Sequence, residues 1–184
     1  MKIIAFAYKK GVGKDTLGKF LMTALRVKAP GLRIQHVSFA AKLKDVCYQL
    51  YGWAGLKRGI YYETHRDKKE VVLTAFNKTP RDIWIGVGNK MREIYPNTWI
   101  DFAIKGVEAD IIVITDCGFK NEAYAIADAG GLLCKINRDG IPRGTDPREI
   151  ELDTWNHWDY VINNDSDLAY LNDIAQQLAN KLLK

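Results

Sequence analysis

Cysteine is scarce in this chain, and its cysteines are isolated from one another. Only three are present among the 184 residues, Cys47, Cys117 and Cys134, and each lies in an apolar stretch. An odd number of separated cysteines argues against disulfides and against a metal site, and it indicates reduced thiols in the core. The three histidines have no metal-ligand spacing, and no Ser-His-Asp or Cys-His arrangement stands out. We therefore expect a cytoplasmic protein.

Long hydrophobic runs are missing as well. No stretch approaches the roughly 18 apolar residues that would span a bilayer, and the first residues form a strand-like segment rather than a signal peptide. We therefore expect neither a membrane span nor a leader sequence. With 47% hydrophobic and 27% charged residues, the composition is typical of a single domain, 1–184, that buries a real core.

Blocks of like charge are also absent. The formal net charge is +5 and the isoelectric point is near 9.0, an excess that suits either nucleic acid or phosphorylated small molecules. The basic residues alternate with acidic ones except near Lys57-Arg58 and between Arg138 and Arg148. This distribution favours phosphorylated metabolites over nucleic acid as partners.

Short strand-like runs alternate with helical stripes along the chain. The runs are rich in Val, Ile, Leu or aromatic residues and comprise Ile3–Ala7, Arg33–Phe39, Ile111–Thr115, Leu132–Ile136 and Tyr160–Asn163. Between and after them, apolar residues recur at helical spacing, and the last such stripe has Ser166 as a candidate N-cap. The alternation predicts an α/β fold with a five-stranded parallel sheet, helices on both faces and a ligand at the carboxyl ends of the strands.

Two segments do not fit the sheet and are predicted to be insertions over the ligand site. The first is 52–79, and the second is 138–158, which contains Gly140, Pro142, Gly144 and Pro147. Their length and composition predict a partly helical insertion and a mobile lid, respectively.

A glycine loop joins the first strand to the first helix. A phosphate-binding loop has the pattern G-x-x-x-x-G-K-[ST], in which backbone N–H groups surround a phosphate and the lysine contacts the β- and γ-oxygens. Here Tyr8 stands at the first glycine position and Asp15 follows Lys14, but the strand and helix on either side favour a true phosphate loop. The alternative is an ordinary strand-to-helix turn with a solvated Lys14. The residues predicted to bind ATP in this loop are Lys10, Gly11, Val12, Gly13, Lys14, Asp15 and Thr16.

Two carboxylates are candidates for a magnesium site. Asp15 stands where the usual hydroxyl helps to hold the metal, and a carboxylate oxygen suits a hard cation. Asp116 comes at the carboxyl end of a predicted buried strand. The alternative for each of them is to cap a helix.

The segment Gly13-Lys14-Asp15-Thr16 resembles the phage-type deoxynucleoside monophosphate kinases, a P-loop family related to adenylate and dephospho-coenzyme A kinases. The resemblance continues nearly end to end, through Ser38-Phe39-Ala40 with Leu43-Lys44-Asp45, Thr79-Pro80-Arg81 with Arg92 and Trp99, Thr115-Asp116 with Phe119, Asn121 and Glu122, and Val161-Ile162-Asn163-Asn164-Asp165 with Leu168. It implies a P-loop kinase fold and transfer of the ATP γ-phosphate, with Mg²⁺, to a (deoxy)nucleoside monophosphate. It also implies a phage origin, and hence a host cytoplasm.

The chain departs from this family pattern at two points. The family usually carries an Arg two residues after the Asp of the third strand, where this chain has Gly118. Another basic residue must then take its role, or the acceptor differs. The segment Asp146-Pro147-Arg148-Glu149 is only loosely similar to the family's His-containing lid.

Phosphoryl transfer mainly requires alignment of donor and acceptor and cations that meet the developing negative charge. On this ground Lys14, Arg92 and Arg138 are the predicted catalytic residues. Arg143 and Arg148 in the lid are weaker candidates, with an ordinary solvated loop as the alternative. Asn163 and Asp165 are predicted to lie at the donor base.

The acceptor-binding residues are predicted to lie after the second strand. Arg81 and Arg92 fall on a similar face of one helical stretch and could hold one monophosphate. The alternatives are surface ion pairs for the arginines and a place in the core for tryptophan. The full predicted acceptor set is Lys42, Arg66, Arg81, Arg92 and Trp99.

Two other functions remain open at this stage. One is a P-loop kinase for another phosphorylated metabolite, such as dephospho-coenzyme A, which Gly118 keeps in view. The other is a non-catalytic nucleotide-binding protein, whose binding to DNA would be strongly salt-dependent. The sequence leaves open the preferred base and sugar and the oligomeric state, including a homodimer.

Overall fold

The structure, a computed structural model, describes residues 1–142, 144 and 147–184. Its contacts divide the chain into two compact units. The first comprises residues 1–37 and 106–184, and the second comprises residues 38–105. Among the described residues, no helix combines the length and the apolar character that a membrane crossing requires.

The first unit contains a five-stranded sheet in the order β2-β3-β1-β4-β5, and every pairing between neighbouring strands is parallel. The strands are β1 Lys2–Ala7, β2 Ile34–Val37, β3 Ile111–Cys117, β4 Leu132–Asn137 and β5 Tyr160–Asn163. This confirms the predicted α/β fold. The predicted second strand was too long, because Ser38 caps the next helix by accepting a hydrogen bond from the backbone N–H of Ala41 and Phe39 already belongs to that helix.

The helices of the first unit cover both faces of this sheet. They are α1 Lys14–Lys28, α6 Lys120–Asp128, α7 Pro147–Ile150 and α8 Leu168–Leu182. Helices α1 and α8 bury their apolar faces with Ile4 and Phe6 of β1, whereas α6 packs against β1 and β4. The predicted cap of the last helix was wrong by one residue: Asp167, not Ser166, accepts the hydrogen bond from the backbone N–H of Tyr170.

The second unit is helical. It contains α2 Phe39–Tyr51, α3 Tyr61–Thr64, α4 Pro80–Ile94 and α5 Thr98–Ile104, together with short 3₁₀ turns at Gly52–Ala54 and Arg66–Glu70. Helix α4 begins with a proline and a capping box, in which Thr79 and Asp82 exchange side-chain hydrogen bonds with each other's backbone N–H groups. The predicted insertion 52–79 lies within this unit.

The predicted lid, 138–158, belongs to the first unit. Its described part contains α7 and a 3₁₀ turn at Glu151–Thr154. Arg143, one of the weaker lid candidates, lies outside the described residues, as do Thr145 and Asp146. All three cysteines are buried and unbridged, in agreement with the sequence prediction of core thiols.

Candidate active site

The loop between β1 and α1 is a tight turn with an unusual backbone conformation. Three of its residues have positive φ: Tyr8 at 97°, Gly11 at 86° and Gly13 at 104°. Glycine adopts such angles at little cost, whereas a tyrosine there stores of the order of 1–3 kcal/mol of strain. Tyr8 therefore keeps the backbone turn that the pattern assigns to a glycine. Its ring lies 4.3 Å from Lys135 Nζ and 4.9 Å from Lys9 Nζ, and these cation–π contacts help to hold it.

Lys14 folds back over this loop. Its Nζ donates hydrogen bonds to the carbonyl oxygen of Tyr8, at 2.8 Å, and to that of Lys9. Burial lowers the pKa of Lys14, while the nearby carboxylates of Asp15, Glu149 and Asp116 act in the opposite direction. Lys14 is therefore not the solvated side chain that the alternative of an ordinary turn assumed, and phosphate binding by the loop stays a prediction. A phosphate bound in the loop would replace carbonyl oxygens as the partners of this ammonium group.

The two predicted metal carboxylates flank Lys14, and neither caps a helix. The N-cap of α1 is Gly13, which makes no side-chain cap hydrogen bond, and Asp15 lies exposed in the first turn. Asp116 lies inside β3, next to its last residue. Among the described residues, no group of three or more His, Cys, Asp or Glu side chains is placed to hold a metal ion alone. Two carboxylates fit a magnesium ion whose remaining ligands are phosphate oxygens and water.

A pocket of about 330 Å³ opens beside the loop within the first unit. It brings together Gly13 and Thr16, both predicted to bind ATP, with Arg138, predicted to meet its phosphates. The complete lining is Gly13, Thr16, Arg138, Asn164, Ser166, Asp167, Leu168 and Leu171. The glycine loop and the segment after β5 therefore share one cavity.

Asn164 is a residue of this pocket to which the sequence interpretation assigned no role. It is 3% exposed, and its Nδ2 donates to the carbonyl oxygen of Val12 at 2.9 Å. A Cβ on Gly13 would lie 2.5 Å from the same Nδ2. Asn164 therefore fixes the glycine loop from the far edge of the sheet. The sequence signals were its place directly after a strand and its membership of the family-like segment Val161-Ile162-Asn163-Asn164-Asp165.

The neighbours of Asn164 have other partners. Asn163 Oδ1 accepts a hydrogen bond from Asn137 Nδ2 at 3.1 Å, and Asp165 Oδ1 accepts one from the backbone N–H of Asp139 at 2.6 Å. Neither residue lines the pocket. Their side chains join the ends of β4 and β5, and their predicted contact with the donor base stays a prediction.

Arg148 of the lid lies at the end of β3. Its Nη2 donates to the carbonyl oxygen of Asp116 at 2.6 Å and lies 3.9 Å from Asp116 Oδ2, and the guanidinium is 5.4 Å from the ring centre of Phe119. Glu122 is buried nearby and accepts hydrogen bonds from the backbone N–H groups of Gly118 and Phe119. Burial raises the pKa of Glu122, and the Arg148 charge opposes this increase.

The second unit contains a cluster of four cations. Arg81 Nε lies 2.5 Å from Glu70 Oε1, while Glu63 Oε1 lies 3.0 Å from Lys44 Nζ and 3.8 Å from Lys69 Nζ. Burial lowers the pKa of Lys69, Glu63 raises it, and the positive charges of the other three cluster members lower it further. We call this set, Lys44, Arg66, Lys69 and Arg81, the basic cluster. The sequence interpretation named Arg66 and Arg81 and missed the two lysines.

The other predicted acceptor residues lie elsewhere in the second unit. Arg92 is on the same helix as Arg81, as predicted, and its Nη1 is 3.4 Å from Asn89 Oδ1. Lys42 Nζ lies over the ring of Phe102 at 5.4 Å. Trp99 is only 3% exposed, and its indole N–H donates to the carbonyl oxygen of Gly88. Trp99 thus lies in the core of the unit, and its predicted contact with the acceptor stays a prediction.

Comparison with known proteins gives one curated relative across most of the chain. A protein of Acanthamoeba polyphaga mimivirus, whose name assigns it provisionally to the deoxynucleotide monophosphate kinases, is 30% identical over an alignment that is 186 positions long and covers 91% of each chain. No family model matches the sequence.

Among solved structures, shikimate kinases are similar over the full length. That of Aquifex aeolicus has a TM-score of 0.40 and 14% identity, covering 100% of this chain and 99% of its own. That of Bacteroides thetaiotaomicron has a TM-score of 0.41 and 15% identity, covering 99% and 98%.

Proposed function

The chain belongs to the deoxynucleotide monophosphate kinase family, and we propose that it transfers the γ-phosphate of ATP to a deoxynucleoside monophosphate, forming the diphosphate and ADP. The feature that most directly supports this reaction is Lys14, folded over a loop in which Tyr8, Gly11 and Gly13 all have positive φ. This loop opens directly into the N-terminus of α1, where backbone N–H groups and the helix dipole favour an anion.

The donor phosphates bind at this loop and the donor base extends toward the pocket beside it. Lys14 supplies a positive charge to the β- and γ-oxygens, and Arg138 of the pocket lining supplies a second. Because Lys14 is largely removed from water, its attraction for a phosphate is stronger than that of a solvated lysine.

Magnesium is the cofactor that the two carboxylates beside Lys14 would hold. Asp15 and Asp116 both act electrostatically on Lys14, so they lie at the phosphate end of the site. When bound, the ion would neutralise negative charge on the donor phosphates. Asp15 and Asp116 would hold it from the protein side.

The basic cluster of the second unit is a fitting site for the acceptor's monophosphate. In the free protein Glu63 and Glu70 neutralise part of the charge of Lys44, Lys69 and Arg81. A phosphate dianion brings more negative charge than one carboxylate and would compete for the same cations. The attacking phosphate oxygen is already ionised at neutral pH, so the reaction needs no strong general base.

The experiment that tests this function is ADP formation from ATP and Mg²⁺ with each deoxynucleoside monophosphate in turn. A reaction without any acceptor measures background hydrolysis of ATP, and dephospho-coenzyme A is included as a chemically different acceptor. Turnover that requires one or a few monophosphates is expected. Turnover with dephospho-coenzyme A alone, or ATP binding without any turnover, would contradict the proposal.

Changes in the basic cluster should affect the acceptor more than the donor. We expect Lys69→Met and Arg81→Met each to raise the KM for the monophosphate by about tenfold to a hundredfold, because each removes a charge-assisted hydrogen bond worth roughly 1.5–3 kcal/mol. The KM for ATP should stay within about twofold. Steady-state kinetics with each substrate varied separately measures both constants.

Lys105→Met is the matched control for these variants. Lys105 follows α5 in the same unit and forms an exposed ion pair with Asp101 at 2.8 Å, so its loss should change neither KM. An unchanged acceptor KM in both cluster variants would exclude the basic cluster as the monophosphate site.

A further inference from the structure

The backbone conformation at Gly118 does not require a glycine. It directly follows β3, is buried, and is not among the glycines with positive φ. A Cβ at this position would meet three atoms of Arg148 at 3.1 Å each: its Cβ, its Nε and its carbonyl oxygen. Carbon atoms normally pack at about 3.5–4.0 Å. The missing side chain at position 118 therefore makes room for Arg148, to which all three of the nearest atoms belong.

Arg148 is held in this space by the residues on either side of Gly118. It donates to the carbonyl oxygen of Asp116 before the glycine and lies over the ring of Phe119 after it. Its side chain is 30% exposed, so the guanidinium is partly buried but still reached by solvent. The end of β3, with Gly118 at its centre, thus forms a fitted seat for one arginine of the lid.

This seat lies at the phosphate end of the candidate site. Arg148 and Lys14 are close enough for their positive charges to repel, and both are near the carboxylate of Asp116. An arginine that is already held there does not have to reorient when negative charge develops on a transferring phosphoryl group.

We propose that Gly118 positions Arg148 beside Lys14, and that Arg148 from this seat contacts the phosphates of the donor nucleotide. This inference rests on the proposed function for the identity of the donor. It also gives a physical reason for the glycine at a position where the resemblance led us to expect an arginine: an arginine side chain at 118 would collide with Arg148, which reaches the same place from α7.

The test is a kinetic comparison of Gly118→Ala with Gly31→Ala. Gly31 lies in the same unit with no atom within 4 Å of a Cβ and no positive φ, so its replacement is a matched control. We expect Gly118→Ala to lower kcat by about tenfold to a hundredfold, because a displacement of less than 1 Å in a catalytic group has effects of that size. The control should keep the wild-type kcat. A wild-type kcat for Gly118→Ala would overturn the proposal.

A double-mutant cycle separates positioning from a general structural effect. Arg148→Met should lower kcat by about a hundredfold, and Gly118→Ala combined with Arg148→Met should be no slower than Arg148→Met alone, because the methyl group acts through the arginine. Multiplicative losses of kcat in the double variant would overturn the proposal.

If Gly118→Ala fails to fold, combining it with Arg148→Gly should restore a cooperative thermal transition, since two of the three clashing atoms of Arg148 are then absent. Failure of this rescue also counts against the seat.

The same double-mutant cycle can be measured in the affinity for ADP, by calorimetric titration, which does not depend on turnover. The Arg148→Met and Gly118→Ala variants should weaken ADP binding, and again the effects should not multiply. If the wild-type chain phosphorylates no monophosphate but the cycle in ADP affinity holds, the proposed acceptor is wrong and the seat is right. If the wild-type chain is an active kinase but both cycles are additive, the seat is wrong and the function is right.

Discussion

Replacing Lys14 with alanine is expected to abolish phosphoryl transfer, lowering kcat/KM by at least about a thousandfold. The ammonium group is held over the loop by two carbonyl oxygens and is largely shielded from water. The free energy of unfolding should change by only about 1 kcal/mol, because the two lost hydrogen bonds are offset by the charge that no longer needs to be buried.

Lys19→Ala is the control for this variant. Lys19 lies on the same helix one turn further along and is exposed, so its loss changes the helix charge equally and leaves the loop intact. ADP formation by both variants, with urea unfolding to verify the fold, makes the comparison. Full activity of Lys14→Ala would remove the proposed mechanism.

Replacing Gly13 with alanine is expected to cost both stability and nucleotide binding. The added Cβ would lie 2.5 Å from Asn164 Nδ2, and the residue has φ at 104°. The backbone conformation costs an alanine about 1–3 kcal/mol, and relief of the overlap costs a similar amount. We therefore expect about 3 kcal/mol less free energy of unfolding and no measurable binding of ADP.

Gly11→Ala separates these two causes. Gly11 also has positive φ, at 86°, but its nearest neighbour, Ile141, would be 3.5 Å from a Cβ, an ordinary contact. Its loss of stability should thus reflect the backbone alone and be about half that of Gly13→Ala. Urea unfolding measures both. Equal losses in the two variants would show that Asn164 does not restrain the loop.

The architecture of the sheet followed from local patterns. The predicted strands at Ile111–Thr115, Leu132–Ile136 and Tyr160–Asn163 agree with β3, β4 and β5 to within two residues, because a buried parallel strand is apolar along its length and breaks at polar residues. The family was also predicted correctly, from Gly13-Lys14-Asp15-Thr16 and the order of the weaker segments after it.

Local patterns failed where two neighbouring residues compete for one role. Both Ser166 and Asp167 are able to cap α8, and only the chain's path after β5 decides that Asp167 reaches the backbone N–H of Tyr170. Similarly, an apolar Phe39 extends a strand pattern, but Ser38 is already turned toward the helix. In each case the competing residues have similar propensities.

The sequence by itself determined the class of the fold, the family and the place of the glycine loop, because each of these depends on residues close together in the chain. Only the tertiary structure decided which side chains meet around that loop. The strand order places β1 between β3 and β4, so Asn164 from the far end of the chain reaches Val12, and Arg148 reaches Gly118. Such partners depend on the order and register of the strands and on the path of the connections between them. The local spacing of residues in the sequence does not determine any of these.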